Sequence, residues 1–143
     1  MDFTLPEEFQ MLKQTVRQFV DRELIPIEMH SCDGNELKPE IKARLEKKTK
    51  EMGLWLLDVP EEYGGAGLGL LAQVVVWEEL TRTAALPSRG EGIFGPEVRP
   101  ILYSLNEQQK QRYLYPVLRG EKKICFAQTE PDAGSDPASM KTR

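Results

Sequence analysis

The chain is poor in the residues that most enzymes of simple chemistry rely on. It holds two cysteines and one histidine in 143 residues. Cys32 and Cys125 form no CxxC pair, and no second histidine exists, which argues against a zinc site built from protein ligands and against a disulfide framework. Free thiols suit a reducing compartment. Cys125 sits in the apolar run Ile124-Cys125-Phe126-Ala127 and reads as a buried small hydrophobe. His30 lies beside Ser31-Cys32-Asp33-Gly34, at an expected helix end, with no relay partner around it. No stretch is long and apolar enough to span a bilayer: the strongest, residues 70–77, is far too short. Basic residues are in slight deficit, 19 against 23 acidic, giving a net charge of −4. That balance, without a basic block, argues against a dedicated nucleic-acid binder. The start, Met1-Asp2-Phe3-Thr4, has neither the basic-apolar order of a signal peptide nor the arginine-rich look of a transit peptide.

What is present is globular: 40% hydrophobic and 29% charged residues, in a length that suits one domain. Thr4 and Glu7 have capping-box spacing, and Phe9, Leu12, Val16, Phe19 and Leu24 recur at helical intervals, with Val20 alongside. Pro26 ends this first helix or sits just past it. After a polar loop at 31–36, a second helix is expected from Pro39 to Met52, stopped by Gly53. Its thin apolar stripe is Ile41, Leu45 and Met52, and Lys47-Lys48-Thr49-Lys50 reads as a solvated face. Residues 53–60 look strand-like or extended. A third helix is expected over 70–85, and its apolar circumference predicts a central position. Glu78 and Glu79 on it read as solvated or helix-packing groups. Residues 98–105 suggest a short helix with Pro100 in its first turn. Asn106 then caps a helix over 107–119, and Gly120 ends it. Residues 124–129 read as a strand with no partner. The expectation is an all-α bundle of about five helices, residues 1–121, followed at 122–143 by the first strand of a β-domain that continues elsewhere.

Two glycine loops invite a phosphate reading. In Gly64-Gly65-Ala66-Gly67-Leu68-Gly69 the dinucleotide spacing fails, because Leu70 stands where the third glycine belongs. Glu61 and Glu62 would repel a pyrophosphate, so a structural turn is expected there. The second loop, Thr129-Glu130-Pro131-Asp132-Ala133-Gly134-Ser135-Asp136, sets a tight turn directly after the expected strand. From chemistry alone it is either an acidic surface turn or a site of close ligand approach at Gly134.

This second loop resembles the signature of the acyl-CoA dehydrogenases. Two further segments resemble the same family in the same order: Pro60-Glu61-Glu62-Tyr63-Gly64-Gly65-Ala66-Gly67, and Asn106-Glu107-Gln108-Gln109-Lys110-Gln111-Arg112-Tyr113-Leu114 with Gly120. The resemblance implies an enzyme with an N-terminal helical domain, a middle β-domain and a C-terminal bundle. It implies FAD as cofactor and an acyl-CoA thioester as substrate, oxidised at Cα–Cβ to the trans-2-enoyl-CoA. A glutamate takes the α-proton, the β-hydride passes to flavin N5, and an electron-transferring flavoprotein collects the electrons. By the same resemblance Phe126, Gln128, Thr129, Gly134 and Ser135 contact FAD, Ser135 also reaches the substrate, and residues 88–105 help wall the acyl pocket. No metal is implied. The catalytic glutamate has no counterpart in these residues, so the chain is expected to be a fragment, inactive alone. The full-length protein would be a homo-oligomer, cytoplasmic in a bacterium or in the mitochondrial matrix of a eukaryote. Leu105, where the family commonly has glycine, and the close pair Pro96 and Pro100 depart from the pattern. Other readings are a non-catalytic helical interaction module derived from this family, or an acyl-CoA oxidase or flavin monooxygenase of the same fold.

Overall fold

The computed structural model describes residues 4–87 and 92–142. Among these the elements run α1 (Glu7–Phe19), β1 (Cys32–Asp33), β2 (Glu36–Leu37), α2 (Pro39–Glu51), α3 (Leu70–Leu80), α4 (Glu107–Arg112) and α5 (Leu114–Leu118). The architecture is mostly helical. The only sheet among the described residues is the two-residue antiparallel hairpin β1–β2, inside the expected polar loop.

α1 starts two residues later than its sequence suggests. Pro6, rather than Thr4, occupies the N-cap. The Pro6 carbonyl accepts from the Phe9 and Gln10 amides at 3.0 and 3.1 Å. Glu7 and Glu8 lie where the helix dipole favours negative charge. The helix continues as a π-turn (Val20–Leu24) and a 3-10 turn (Ile25–Ile27) holding Pro26. Val16, Phe19, Val20 and Leu24 are all buried.

α2 ends as its composition dictates, with Gly53 in the left-handed region at φ +70°. Thr49 corrects the reading of 47–50 as a solvated face. The three lysines are exposed, but Thr49 is fully buried and its hydroxyl donates to the Ile93 carbonyl.

Residues 53–60 are not a strand. They form turns whose backbone pairs with the glycine loop: Ala66 donates to Leu56 (3.1 Å), Gly67 to Val59 (2.9 Å) and Leu68 to Leu57 (2.8 Å). A Cβ on Gly65 would lie 2.0 Å from the Val59 carbonyl oxygen, so this glycine is required by close backbone approach. The loop is structural.

α3 is shorter than expected, and it is not central. Only Ala72, Val75, Val76, Glu79 and Leu80 are buried, on the face turned to α1. Leu70, Leu71, Val74 and Trp77 are exposed. The helix stops at Leu80 as Thr81 and Thr83 form local hydrogen bonds: Thr81 donates to the Glu78 carbonyl (2.8 Å), and Thr83 accepts from the Ala85 amide (3.1 Å).

The helix expected over 107–119 is two helices. Asn106 closes a full capping box with Gln109. The break falls at Tyr113, and Pro116 explains it: its ring would clash with the Arg112 carbonyl in an unbroken helix and offers no N–H. That carbonyl instead accepts from Lys122 Nζ at 3.2 Å. Residues 100–104 form a 3-10 turn opened by Pro100 rather than an α-helix.

The core is split in two. One cluster joins α1, α2 and α3 with Ala85 and Ile93; the other gathers Leu56, Val59, Val98, Leu114 and Val117.

Candidate functional site

Residues 124–136 leave the second cluster at Ile124, which packs against it half-buried. From there the chain runs extended. Residues 124–129 make no backbone–backbone hydrogen bond among the described residues, so this expected strand has no ladder partner here. Cys125 is exposed, against the expectation of a buried thiol: with no neighbouring strand, nothing covers it. Phe126 is 74% exposed and meets Arg99, whose guanidinium carbon lies 5.9 Å from the ring centroid. Gln128 is half-buried, its Nε2 3.3 Å from Met140 Sδ, and Thr129 is exposed.

A tight turn follows. The Glu130 amide donates to the Ala133 carbonyl at 2.8 Å, and the Ala133 amide returns the bond at 3.3 Å, around Pro131 and Asp132. Ala133 is buried beneath the turn. The Glu130 carboxylate accepts from the backbone amides of Lys141 (2.9 Å) and Thr142 (2.8 Å). These bonds, the Lys141 amide foremost, hold its carboxyl below the usual carboxylate range. Asp132 pairs with Lys141 Nζ at 3.3 Å, and Asp136 accepts from the Ala138 amide at 3.1 Å. The acidic residues of this loop are thus occupied in folding its tail back along it.

Gly134 and Ser135 stand exposed on this framework. Gly134 keeps φ outside the left-handed region, and a Cβ there would meet nothing within 4 Å. Neither turn geometry nor crowding by the described residues requires a glycine at this place.

Phe126, Thr129, Gly134 and Ser135 are thus exposed and Gln128 half-buried, and no pocket among the described residues encloses them. Two hollows of about 150 and 220 Å³ lie elsewhere, the first lined by Phe19, Glu23 and Lys48 among others, the second by Leu37, Lys42 and Lys123. Part of the expected pocket wall, residues 88–91, lies outside the described residues. Arg99 escapes sequence reasoning because its partner is far along the chain and no motif marks it. His30 is exposed. Among the described residues no three His, Cys, Asp or Glu side chains gather where a metal could bind, and no helix is long and apolar enough to cross a membrane.

Known proteins resemble this chain over most of its length. Residues 6–121 match the family model "Acyl-CoA dehydrogenase, N-terminal domain". The chain is 39% identical over 142 residues to the mitochondrial short-chain specific acyl-CoA dehydrogenase of Sus scrofa, covering 96% of this chain and 33% of that protein. It is 39% identical over 155 residues to (R)-benzylsuccinyl-CoA dehydrogenase of Thauera aromatica, covering 99% of this chain and 38% of that protein. The crystal structure of an acyl-CoA dehydrogenase complexed with FAD from Bacillus anthracis superposes with a TM-score of 0.64 at 33% identity, over 96% of this chain and 23% of that one. The chain therefore spans about a third of the length of these curated relatives. With residues 6–121 matched by that family model, the chain belongs to the acyl-CoA dehydrogenase family.

Proposed function

We propose that the chain is the N-terminal helical domain, residues 1–121, of an FAD-dependent acyl-CoA dehydrogenase, with residues 122–143 as the first strand and flavin loop of its β-domain. The observation that carries this reading is the surface at 124–136. It combines an extended segment whose backbone has no ladder partner among the described residues, an exposed aromatic ring, and a glycine that the described residues do not require. Those features fit FAD in kind. A flat ring system with carbonyl acceptors needs a face to rest on, donors at its edge and close backbone approach. Thr129 and Ser135 supply hydroxyls beside that edge, and Gly134 supplies the approach.

When bound, FAD supplies the hydride acceptor. The chain's own part is to bind and orient: Phe126 and Gln128 present a side to the ring system, and Thr129 donates a hydrogen bond where negative charge grows on reduction. Ser135 also reaches toward the thioester. A glutamate outside these residues would take the α-proton, and an electron-transferring flavoprotein would accept the electrons. The 143 residues alone hold FAD weakly and do not turn over, because the loop is open on one side. The acyl class stays general, since relatives act on short-chain acyl groups and on benzylsuccinyl-CoA by their names.

The test is anaerobic addition of acyl-CoA thioesters to the purified full-length flavoprotein. Bleaching of the flavin absorbance with formation of the 2-enoyl-CoA is expected. A flavin that stays oxidised with every acyl-CoA would end the proposal, and rapid oxygen uptake would point to an oxidase or monooxygenase instead.

A further inference from the structure

Arg99 and Phe126 come from separate segments and meet at the surface where the flavin loop begins. Their backbones leave the same core. Val98, immediately before Arg99, is 4% exposed, and Ile124 packs on the same cluster. Pro100 then fixes the direction of the chain after Arg99 by opening the 3-10 turn. The two side chains emerge side by side, and Arg99 is the ring contact that the structure gives Phe126. A large ring this exposed has little packing to choose its orientation, so a cation against it biases where it points. Glu97 also touches Arg99, at 2.7 Å, but both side chains are at least half exposed and such a pair carries little weight.

We infer that Arg99 is a positioning residue of the flavin site: its guanidinium orients the Phe126 ring and keeps a positive charge beside it. This rests on the reading of residues 126–135 as a flavin loop. A cation at that place does two separable things. It reduces the conformational freedom that Phe126 loses when a ligand packs on it, which tightens binding. It also favours the more negative, reduced state of a bound flavin over the oxidised one.

The experiment uses the full-length flavoprotein and two readouts: the FAD dissociation constant from fluorescence, and the flavin midpoint potential from dye-coupled reduction. Arg99→Gln is expected to weaken FAD by about threefold, the scale of an exposed cation–π contact, and to lower the potential. Arg99→Lys keeps the charge and is expected to recover most of the potential. Phe126→Leu weakens FAD by itself, and the double variant R99Q/F126L is expected to bind FAD no worse than F126L, because Arg99 acts on binding through the ring. Arg99 is exposed, so thermal unfolding of R99Q should match that of the parent protein. Unchanged affinity and potential in R99Q, a lysine variant as impaired as the glutamine one, or additive losses in the double variant would each overturn the inference. A parent protein that purifies without flavin and takes up none overturns the loop reading, and the inference with it.

Discussion

Glu79 keeps its charge with 1% of its side chain exposed, and the cations around it come from two parts of the chain. Arg17 on α1 grips both carboxylate oxygens, at 2.8 and 3.0 Å; Arg82 lies at 3.3 Å and Lys13 at 3.8 Å. The Arg17 hydrogen bonds, opposed by burial, hold the carboxyl below its ordinary value of 4.5. A depressed folded-state pKa contributes stability that is present above the unfolded value and lost as pH falls through the folded one. Stability should therefore decline below about pH 4.5, and Glu79→Gln should flatten that decline. At neutral pH the same substitution should cost about 1–3 kcal/mol in denaturant titrations, toward the lower end because Arg17 is half exposed and regains water. Thr49→Val tests a second buried polar group: with the hydroxyl gone, the Ile93 carbonyl loses its donor, and about 1–3 kcal/mol should be lost. Neither residue's partner is legible in the sequence. Helical phase places both residues on their helices, and helix packing is one of two readings for Glu79, but the Lys-rich surroundings of Thr49 read as solvated, and the partners Arg17 and Ile93 are distant in the chain.

At the scale of elements, α1 and α2 are legible because an apolar stripe, a proline near the start and a glycine at the end of α2 agree with one another. The second glycine loop is legible as a loop, and its function only through the family resemblance. What misleads is apolar content without geometry. α3 is apolar nearly all round, yet one face is bare, since composition cannot say how many neighbours a helix has. Residues 53–60 are apolar without alternation, and they serve two cores through turns rather than one face through a strand. Their pairing with the glycine loop yields a sharp expectation. Gly65→Ala should cost about 1–3 kcal/mol in thermal or chemical unfolding, the range for forcing atoms into a packed site. Gly134→Ala, where a Cβ meets no described atom, should leave stability unchanged and weaken FAD in the full-length protein. Equal effects of the two on stability would remove the distinction between a glycine the fold requires and one the ligand requires.

For the molecule as a whole, α3 leaves a bare apolar face among the described residues. Leu70 is 74%, Val74 53%, Leu71 44% and Trp77 38% exposed. A contiguous apolar face of this kind drives association. In sedimentation velocity the isolated 143-residue chain should shift to larger species as concentration rises, and Val74→Glu should return it to a monomer without loss of stability. A wild-type chain that stays monomeric throughout would remove the role assigned to this face. Family membership was the most legible property of the molecule, because it is written in short local motifs. The division of the core was the least, because it depends on which side of a turn each leucine faces.

That division has a dynamic consequence. Leu54 and Leu57 enter one cluster while Leu56 and Val59 enter the other, within six consecutive residues. Leu56 takes a left-handed backbone at φ +55°, uncommon for a leucine, while its amide donates to Phe94 and its carbonyl accepts from Ala66. The turn works as a hinge pin through both halves. Neither half can open without pulling on the other at this point, so slow hydrogen exchange at α1 and at α5 should share one rate-limiting opening, and Leu56→Ala should split it into two.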